Sequence, residues 1–393
     1  MIAIIVFFIK LTPFLCSVCW VILYWLFIVA AVIQCSYAAY FFVRIFRLLG
    51  GQVISEAQLR PVSIIICAKN EAENLRKNLP LVLSQQYDNG SGKANYEVIV
   101  VNDASTDDTE EVLKELEMRY DNLWDVVVPH NAVRDLQGKK FALSKGVAHV
   151  AHDWLLLTDA DCAPASDLWL QQMIAPLAKG KKIVAGYGGY HKAPGLLNAF
   201  IRWETMHTFL QYSTYSLAGM PYMAVGRNMA CTKEILLQAQ QSDLWNALPS
   251  GDDDLLIRIA GTGGNTAVVC NEAAFTYSDT NKSFKDWVGQ KQRHLSTGKY
   301  YKEHIKLLLG GYGASHAIMW IGFLALLFTP FCEDIIVVMV ARCLIYWIIW
   351  IFTAEKLMEK NLIYLFPFFD MGWTIYNFAF FPYITWKNKK HWK

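Results

Sequence analysis

Short apolar runs alternate with helix-like stretches across the middle of the chain. The apolar runs predict strands at residues 62–67, 97–101, 124–128 and 154–157. Residues with helical spacing predict helices at 71–79, 107–120, 141–149 and 196–212, with Pro80 ending or kinking the first of these. Strand–helix alternation is typical of a mostly parallel sheet covered by helices. The predicted fold class is therefore α/β.

Acidic side chains follow three of the predicted strands. Glu71 follows the first strand, Asp103 follows the second, and the pair Asp159 and Asp161 follows the fourth. In a parallel sheet these strand ends share one edge, and ligands bind at that edge in open α/β sheets. Carboxylate oxygens are suitable ligands for Mg²⁺ or Mn²⁺. An isolated Asp-x-Asp is more simply a solvated loop, but the convergence of strand ends favours a metal site here.

The two ends of the chain have a different, almost continuously apolar pattern. Residues 15–43 carry no charged side chain and are long enough to cross a bilayer. Arg44 and Arg47 follow directly, which predicts that this end faces the cytoplasm. A cleavable signal peptide is the alternative, but the length of the stretch favours an anchor.

Near the C-terminus, residues 314–331 and 335–353 are two more candidate spans, with the polar break 332–334 between them. A third apolar stretch, 362–386, contains two prolines and Asp370, so a tilted span, a hairpin and an interfacial segment all remain open. A carboxylate at membrane depth would need a partner or water.

Composition limits the classes of partner. The chain has 393 residues, with 36 basic and 34 acidic side chains, so its net charge of +2 makes no electrostatic case for nucleic acid. Its nine cysteines are scattered and imply no disulfide framework, in agreement with a cytoplasmic catalytic region.

Seven short motifs then occur in a recognisable order. They are PVSIIICAKNEAENL, VIVVNDASTDDT, GKKFALSKGV, LLLTDADC, GRNMACTKE, SGDDDLL and QKQRH. Over about residues 60–300 the chain resembles the family 2 inverting glycosyltransferases. With its flanking apolar segments it is similar to the membrane-integrated branch, which includes cellulose, chitin and hyaluronan synthases and ceramide glucosyltransferases. The resemblance implies the nucleotide-diphospho-sugar transferase (GT-A) fold, flanking transmembrane helices and a Mg²⁺ or Mn²⁺ cofactor.

The resemblance also implies roles on the donor side. The residues matching donor-binding positions are Ala68, Glu71, Asp103, Lys139 or Lys140, Asp159, Gln290 and Arg293. Asp161 matches the metal-binding aspartate, with Asp159 beside it in contact with donor and metal. These residue types suit the chemistry, because a divalent cation and pre-organised cations stabilise the charge that develops on a departing diphosphate.

On the acceptor side, Asp252 or Asp253 matches the general base, and Asp252 is preferred at this point. A carboxylate at hydrogen-bond distance can remove the proton from an acceptor hydroxyl. Gly226 and Asn228 are expected to shape an acceptor-side loop. His294 stands where the family usually has tryptophan, either as a tolerated variant or as a titratable side chain for an acceptor unlike a growing polysaccharide.

These expectations combine into one organisation. We expect an anchor at 1–48, a catalytic domain at 49–282, an interfacial segment at 283–309 and a membrane region at 310–393. The expected activity is metal-dependent, inverting transfer from a UDP-sugar to a membrane lipid or lipid-linked glycan, in a multi-pass protein of the bacterial inner membrane with its catalytic domain in the cytoplasm. The alternatives are a processive polysaccharide synthase and a non-catalytic membrane scaffold.

Overall fold

The computed structural model describes residues 2–48, 60–88, 93–134, 136, 138–246, 248, 251–280 and 283–385, with side chains described from 18 to 382. The strands are β1 Val62–Ala68, β2 Tyr96–Asp103, β3 Leu123–Val128, β4 Trp154–Asp159, β5 Cys162–Pro164, β6 Ile183–Ala185, β7 Gly188–Tyr190, β8 Met229–Thr232, β9 Thr266–Val268 and β10 Thr276–Ser278. The helices are α1 Ile2–Tyr40, α2 Ile45–Leu48, α3 Ala72–Leu83, α4 Thr109–Glu117, α5 Lys139–His149, α6 Trp169–Ala178, α7 Leu196–Leu217, α8 Lys233–Gln240, α9 Asp243–Asn246, α10 Asp252–Ala260, α11 Phe284–Leu295, α12 Glu303–Leu326, α13 Cys332–Lys356 and α14 Phe366–Thr385.

The main sheet has seven strands in the order β3-β2-β1-β4-β8-β6-β9. Strands β3, β2, β1 and β4 are mutually parallel, while β8 pairs antiparallel to both β4 and β6. The register sets Ala68 beside Asn102 and Cys67 beside Asp159. The predicted α/β class is therefore confirmed, and the ends of β1, β2 and β4 do lie at one edge. A three-stranded sheet, β5-β10-β7, flanks that edge.

The predicted end or kink of α3 at Pro80 is wrong as an end, since the helix continues through this proline to Leu83. Leu79, Val82 and Leu83 are buried in the core under the sheet. Burial of those side chains outweighs the backbone hydrogen bond that proline cannot donate.

Within the part of the chain that the structure describes, three helical segments are long and apolar enough to cross a membrane: Val18–Leu48, Glu303–Leu326 and Cys332–Lys356. The expected polar break at 332–334 is wrong. These residues form the first turn of α13, where acidic side chains are favoured by the helix dipole. The chain turns at 327–331 instead. At 362–386 the described residues follow a 3₁₀ turn, Lys360–Leu365, with one helix, α14. The hairpin is therefore wrong, while the tilted span and the interfacial segment stay predictions.

A buried polar cluster ties these helices together. This bundle cluster consists of Gln34 on α1, His316 on α12, Arg342 on α13 and Asp370 on α14. Arg342 donates to both oxygens of Asp370 and, over 3.0 Å, to Oε1 of Gln34. His316 Nε2 lies 3.3 Å from Asp370 Oδ1. Asp370 thus has the partner that a carboxylate at this depth requires.

A second buried ion pair joins the long apolar helices to the α/β domain. Arg202 on α7 donates to both oxygens of Glu359, at the end of α13, and to Oδ1 of Asn361 over 2.8 Å. Both charged side chains are about 2% exposed. The α/β domain and the helical bundle therefore share one packed interface rather than a flexible linker.

Candidate functional site

One cavity of about 1230 Å³ begins at the acidic edge of the sheet and continues between the long helices. Its polar half, here called the cleft, is lined by Glu71, Lys139, Asp159, Asp161, Arg227, Asp252, Asp253, Gln290, Arg293 and His294. Its apolar half, here called the groove, is lined by Gly310, Gly313, Ala317 and Ile321 of α12 and by Phe378 and Phe381 of α14. Most of the predicted site residues therefore meet in one space, although they are spread over more than 200 positions of sequence.

The Asp159–Asp161 pair can hold a cation. Ligand atoms of Asp159, Asp161 and Cys162 lie within 4.8 Å of one another. Burial raises the pKa of the Cys162 thiol well above its usual value, so this sulfur stays protonated and is a poor ligand. The pKa of Asp161 is raised by enclosure in the cleft and by the neighbouring charges of Asp159 and Glu71. A divalent cation would relieve that repulsion, so these two carboxylates fit a hard metal ion.

Lys139 links the metal side of the cleft to α10. Its Nζ lies 2.5 Å from Oδ1 of Asp159 and 4.0 Å from Oδ2 of Asp252. Burial by itself would lower the pKa of Lys139, but Asp159 and Asp252 outweigh it and raise the pKa well above its usual value. Lys139 is therefore a fixed cation beside the carboxylates, as a diphosphate site requires.

The three aspartates that begin α10 have different environments. Asp253 Oδ2 accepts a hydrogen bond from the backbone N–H of Gly226 over 2.7 Å, and its Oδ1 accepts one from the N–H of Asp254 over 2.9 Å. Burial and the charge of Asp252 raise the pKa of Asp253 to about 6. Asp252 instead faces Lys139. Asp253 is thus the better placed of the two to accept a proton near neutral pH.

Asp254 connects this turn to the segment that leads into α12. Its Oδ2 accepts hydrogen bonds from the hydroxyls of Thr297 and, over 3.0 Å, Tyr301. Gly251 precedes the helix with φ of 78°, and a Cβ there would lie 2.2 Å from Cγ2 of Thr297. Only glycine fits this backbone conformation and this contact together.

Sequence reasoning assigned no role to Arg227, although it lies between Gly226 and Asn228 in a quoted motif. Its guanidinium carbon lies 4.4 Å from the centre of the Tyr190 ring. A Cβ on Gly188 would lie 2.5 Å from Arg227 Nε, so this glycine gives the guanidinium room to reach the cleft. Arg227 Nε is buried without a hydrogen-bond partner among the described residues. The signal in the sequence was a basic residue, Arg227, inside a quoted motif. The fold is needed to show that its side chain reaches the cleft.

The QKQRH segment forms one wall of the cleft. Gln290 Nε2 donates to the hydroxyl of Tyr190 over 3.3 Å, and Arg293 and His294 line the cavity. Enclosure in the cleft, together with the nearby cations Lys291 and Arg227, lowers the pKa of His294 to about 3. The expectation that His294 titrates near neutral pH is therefore wrong, because these surroundings favour the neutral imidazole.

Four predicted residues do not line the cavity: Ala68, Asp103, Lys140 and Asn228. Lys140 Nζ donates to the carbonyls of Trp245 and Leu248 over 2.6 and 2.8 Å, so Lys139 is the lysine that reaches the cleft. Asn228 is fully buried and bonds to Trp169 and to two backbone carbonyls. Its whole amide is used inside the domain, so Asn228 would shape the acceptor-side loop from within, and this role stays a prediction.

The other two residues occupy the ends of strands. Ala68, the last residue of β1, is completely buried in the core. Asp103 ends β2, and its two oxygens accept hydrogen bonds from Arg134 over 3.2 and 2.6 Å. A donor base that bound Asp103 would have to replace or share Arg134, so this role stays a prediction.

Comparison with known proteins gives two family matches. Residues 63–227 match the family described as glycosyl transferase family 2, and residues 156–377 match glycosyl transferase family group 2. The second match includes α12, α13 and most of α14 as well as the cleft.

Two curated relatives have related sequences. The chain is 28% identical over 253 residues to a probable glycosyltransferase, YdaM, of Bacillus subtilis, covering 62% of this chain and 56% of that protein. It is 33% identical over 124 residues to a beta-monoglucosyldiacylglycerol synthase of Nostoc, covering 32% of this chain and 25% of that protein. The chain thus spans about half, or less, of the length of these relatives.

A solved structure has the same fold. The mannosyltransferase of Pyrobaculum calidifontis, determined in complex with GDP-Man and Mn²⁺, superposes with a TM-score of 0.54 over 90% of this chain and 99% of that chain, at 16% identity. This likeness shows the GT-A nucleotide-sugar transferase fold. Because a single family match also covers more than half of the chain, the protein belongs to the family 2 glycosyltransferases.

Proposed function

We propose that this protein transfers a sugar from a UDP-sugar to a hydroxyl of a membrane lipid or lipid-linked glycan, with inversion at the sugar carbon. The observation that carries the proposal is the single cavity that joins the carboxylate cleft to helices long enough to cross a membrane. In this arrangement the protein sits in the bacterial inner membrane, and the cleft faces the cytoplasm, where the donor is. Arg44 and Arg47, at the end of the first span, support that orientation.

On the donor side, Asp161 and Asp159 hold a Mg²⁺ or Mn²⁺ ion. Bound there, the ion would stabilise the negative charge that develops on the leaving diphosphate. Lys139 and Arg227 add fixed positive charge from the two sides of the carboxylate pair, and Arg293 adds more from the QKQRH wall. Pre-organised cations need no rearrangement as the sugar–phosphate bond breaks.

On the acceptor side, Asp253 acts as the general base. Two backbone N–H groups fix the orientation of its carboxylate, and its pKa of about 6 leaves it ionised yet basic at neutral pH. Asp253 accepts the proton of the acceptor hydroxyl while the hydroxyl oxygen bonds to the sugar carbon and the diphosphate departs. Asp252, facing Lys139, stays on the donor side.

The lipid class of the acceptor follows from where the cavity leads. The apolar groove is lined by α14 and by α12, a helix long enough to cross a membrane, and this supports an acceptor with chains in the bilayer. One relative in sequence is named as a synthase of a glucosylated diacylglycerol, which agrees with an acceptor of this class. Transfer of one sugar to a lipid needs only a cleft and a groove, whereas polymer export needs a passage across the whole bilayer.

The test is direct. Purified protein in lipid nanodiscs, supplied with Mn²⁺, a panel of UDP-sugars and lipids extracted from the host membrane, should release UDP with one donor and yield a discrete glycolipid on thin-layer chromatography. Asp161→Asn should abolish release, because it removes a metal ligand. A polymer ladder would contradict single addition, and the absence of UDP release with every donor and lipid fraction would contradict the proposed activity.

A further inference from the structure

The groove has features that packing between helices does not explain. Gly310 and Gly313 of α12 both line it, and a Cβ added to either would meet no atom within 4 Å. Other glycines of the same helix are packed against α1: a Cβ on Gly322 would lie 3.3 Å from Phe27. The glycines of α12 therefore have two uses. Gly322 admits a neighbouring helix, while Gly310 and Gly313 leave space open.

The rim of the groove is apolar and exposed. Ile321, Phe378 and Phe381 are 49, 59 and 52% exposed, respectively. Large apolar side chains with this exposure, next to an open channel in membrane-spanning helices, meet lipid rather than water. The groove thus opens sideways towards the bilayer.

The depth of the groove matches one leaflet. Among the described residues of α12, those lining the cavity extend from Lys306 to Ile321, and none of the following residues up to Leu326 does so. From Leu309 to Ile321 the helix rises about 18 Å. Half of a bilayer's hydrocarbon core is about 15 Å thick. The apolar wall is therefore long enough for a chain lying in one leaflet and ends inside the membrane.

Polar groups are concentrated where the groove meets the cleft. Glu204 and Lys291 form a buried ion pair that lines the cavity at this junction, and the Tyr376 hydroxyl lies 3.4 Å from Glu204. Asn377 lines the cavity too, and its Nδ2 is buried without a hydrogen-bond partner among the described residues. An orphaned buried donor is costly, so an oxygen atom is expected opposite it.

We propose that the groove holds an aliphatic chain of the acceptor lipid, taken from the leaflet that faces the cleft, while Asn377 donates a hydrogen bond to a headgroup oxygen. The acceptor hydroxyl is then held towards Asp253 and the chain stays in the membrane throughout the reaction. This inference rests on the proposed function, because it locates the acceptor of that reaction. The cavity lining includes carboxylates, a buried ion pair with an amide, and small apolar residues, which suit a reacting hydroxyl, a polar headgroup and an aliphatic chain, respectively.

The experiment uses the full-length protein in phosphatidylcholine vesicles doped with a diacylglycerol that carries a diazirine on one acyl chain. After illumination, labelled peptides are located by mass spectrometry. Labelling should concentrate on the groove-lining parts of α12 and α14. Gly313→Phe fills the open space, so groove labelling should fall about tenfold or more. Gly310→Leu is the second blocking variant.

The matched control is Leu307→Phe, which adds bulk to an exposed side chain on the same helix outside the cavity. It should leave the labelling unchanged, and all variants should bind UDP with Mn²⁺ as the wild type does. Labelling spread evenly over the outer helix faces, or unchanged in both blocking variants, would overturn the proposal. Labelling needs no turnover, so failure of the proposed transfer activity would show separately, as absent UDP release with normal groove labelling.

Discussion

The cleft and the bundle cluster both hold carboxylates beside cations, yet they differ in what faces those charges. In the bundle cluster, Asp370 is surrounded by Arg342, His316 and the indole N–H of Trp320, all supplied by neighbouring helices. In the cleft, Lys139 faces two carboxylates, and Asp161 and Arg227 face open cavity. The charges of the bundle cluster hold the helices together. The charges of the cleft are available to a ligand.

This difference gives a practical rule for reading buried charge. A buried ion pair whose partners all come from the protein is costly to break but adds no chemistry. A charge held by backbone N–H groups and open on one side, as Asp253 is, remains available to react. Substitution should therefore reduce turnover in the cleft and stability in the bundle.

The largest expected effect is on the base. Asp253→Asn should lower kcat about a thousandfold, since a positioned general base contributes about 10²–10⁴-fold. Its unfolding temperature should change little, because the asparagine side chain can still accept from Gly226. The measurement is UDP release with saturating donor and acceptor. Asp252→Asn is the matched control, and a larger loss in that variant would make Asp252 the base.

In the bundle, Arg342→Leu should lower the free energy of unfolding by about 3–5 kcal/mol, because it leaves the buried charge of Asp370 without its guanidinium partner. Replacing both residues by leucine should recover most of that stability. Thermal unfolding in detergent, followed by circular dichroism, measures both changes. A double variant no more stable than the single one would show that the pair stabilises the bundle outright. Unchanged stability in Arg342→Leu would weaken the contrast with the cleft.

Arg227→Met should lower kcat/KM about a hundredfold, the loss typical of removing one pre-organised group that stabilises transition-state charge. Arg227→Lys should recover only part of this, because lysine lacks the planar fork of donors. Thermal unfolding should be nearly unchanged in both variants. If the free energy of unfolding fell by as much as the activation free energy rose, Arg227 would be shown to pack against Tyr190 without serving the reaction.

The smallest effect is the pH response. The base acts when ionised, so kcat/KM should be level above pH about 6 and fall about tenfold per unit below it. His294, with its pKa lowered to about 3, should not contribute to this limb. The pH profile of His294→Asn should therefore keep the wild-type midpoint. A shifted midpoint would assign the ionisation to the imidazole.

Local pattern predicted the sheet and the acidic strand ends of the cleft, because apolar runs of strand length and polar strand ends are properties of neighbouring residues. The cleft residues of α5, α10 and α11 were predicted from the resemblance to the family. It did not separate Lys139 from Lys140, since adjacent residues on a helix point to different sides and only the packing around Trp245 shows which is buried. It gave no sign that Asn228 is buried, because its contacts with Trp169, Tyr187 and Ala274 depend on distant segments. Arg227 was missed for the same reason, since Gly188 makes room for it from another strand.

The hydrogen bonds from Thr297 and Tyr301 to Asp254 have a mechanical consequence. Through these bonds the first turn of α10, which carries Asp253, is held directly against the few residues before α12. Because Asp253 precedes Asp254 in the first turn of α10, a tilt of α12 would act on the base through these two hydrogen bonds. The rate of sugar transfer should then depend on the thickness of the surrounding bilayer. Measuring that rate in vesicles of lipids with longer or shorter acyl chains would test this coupling.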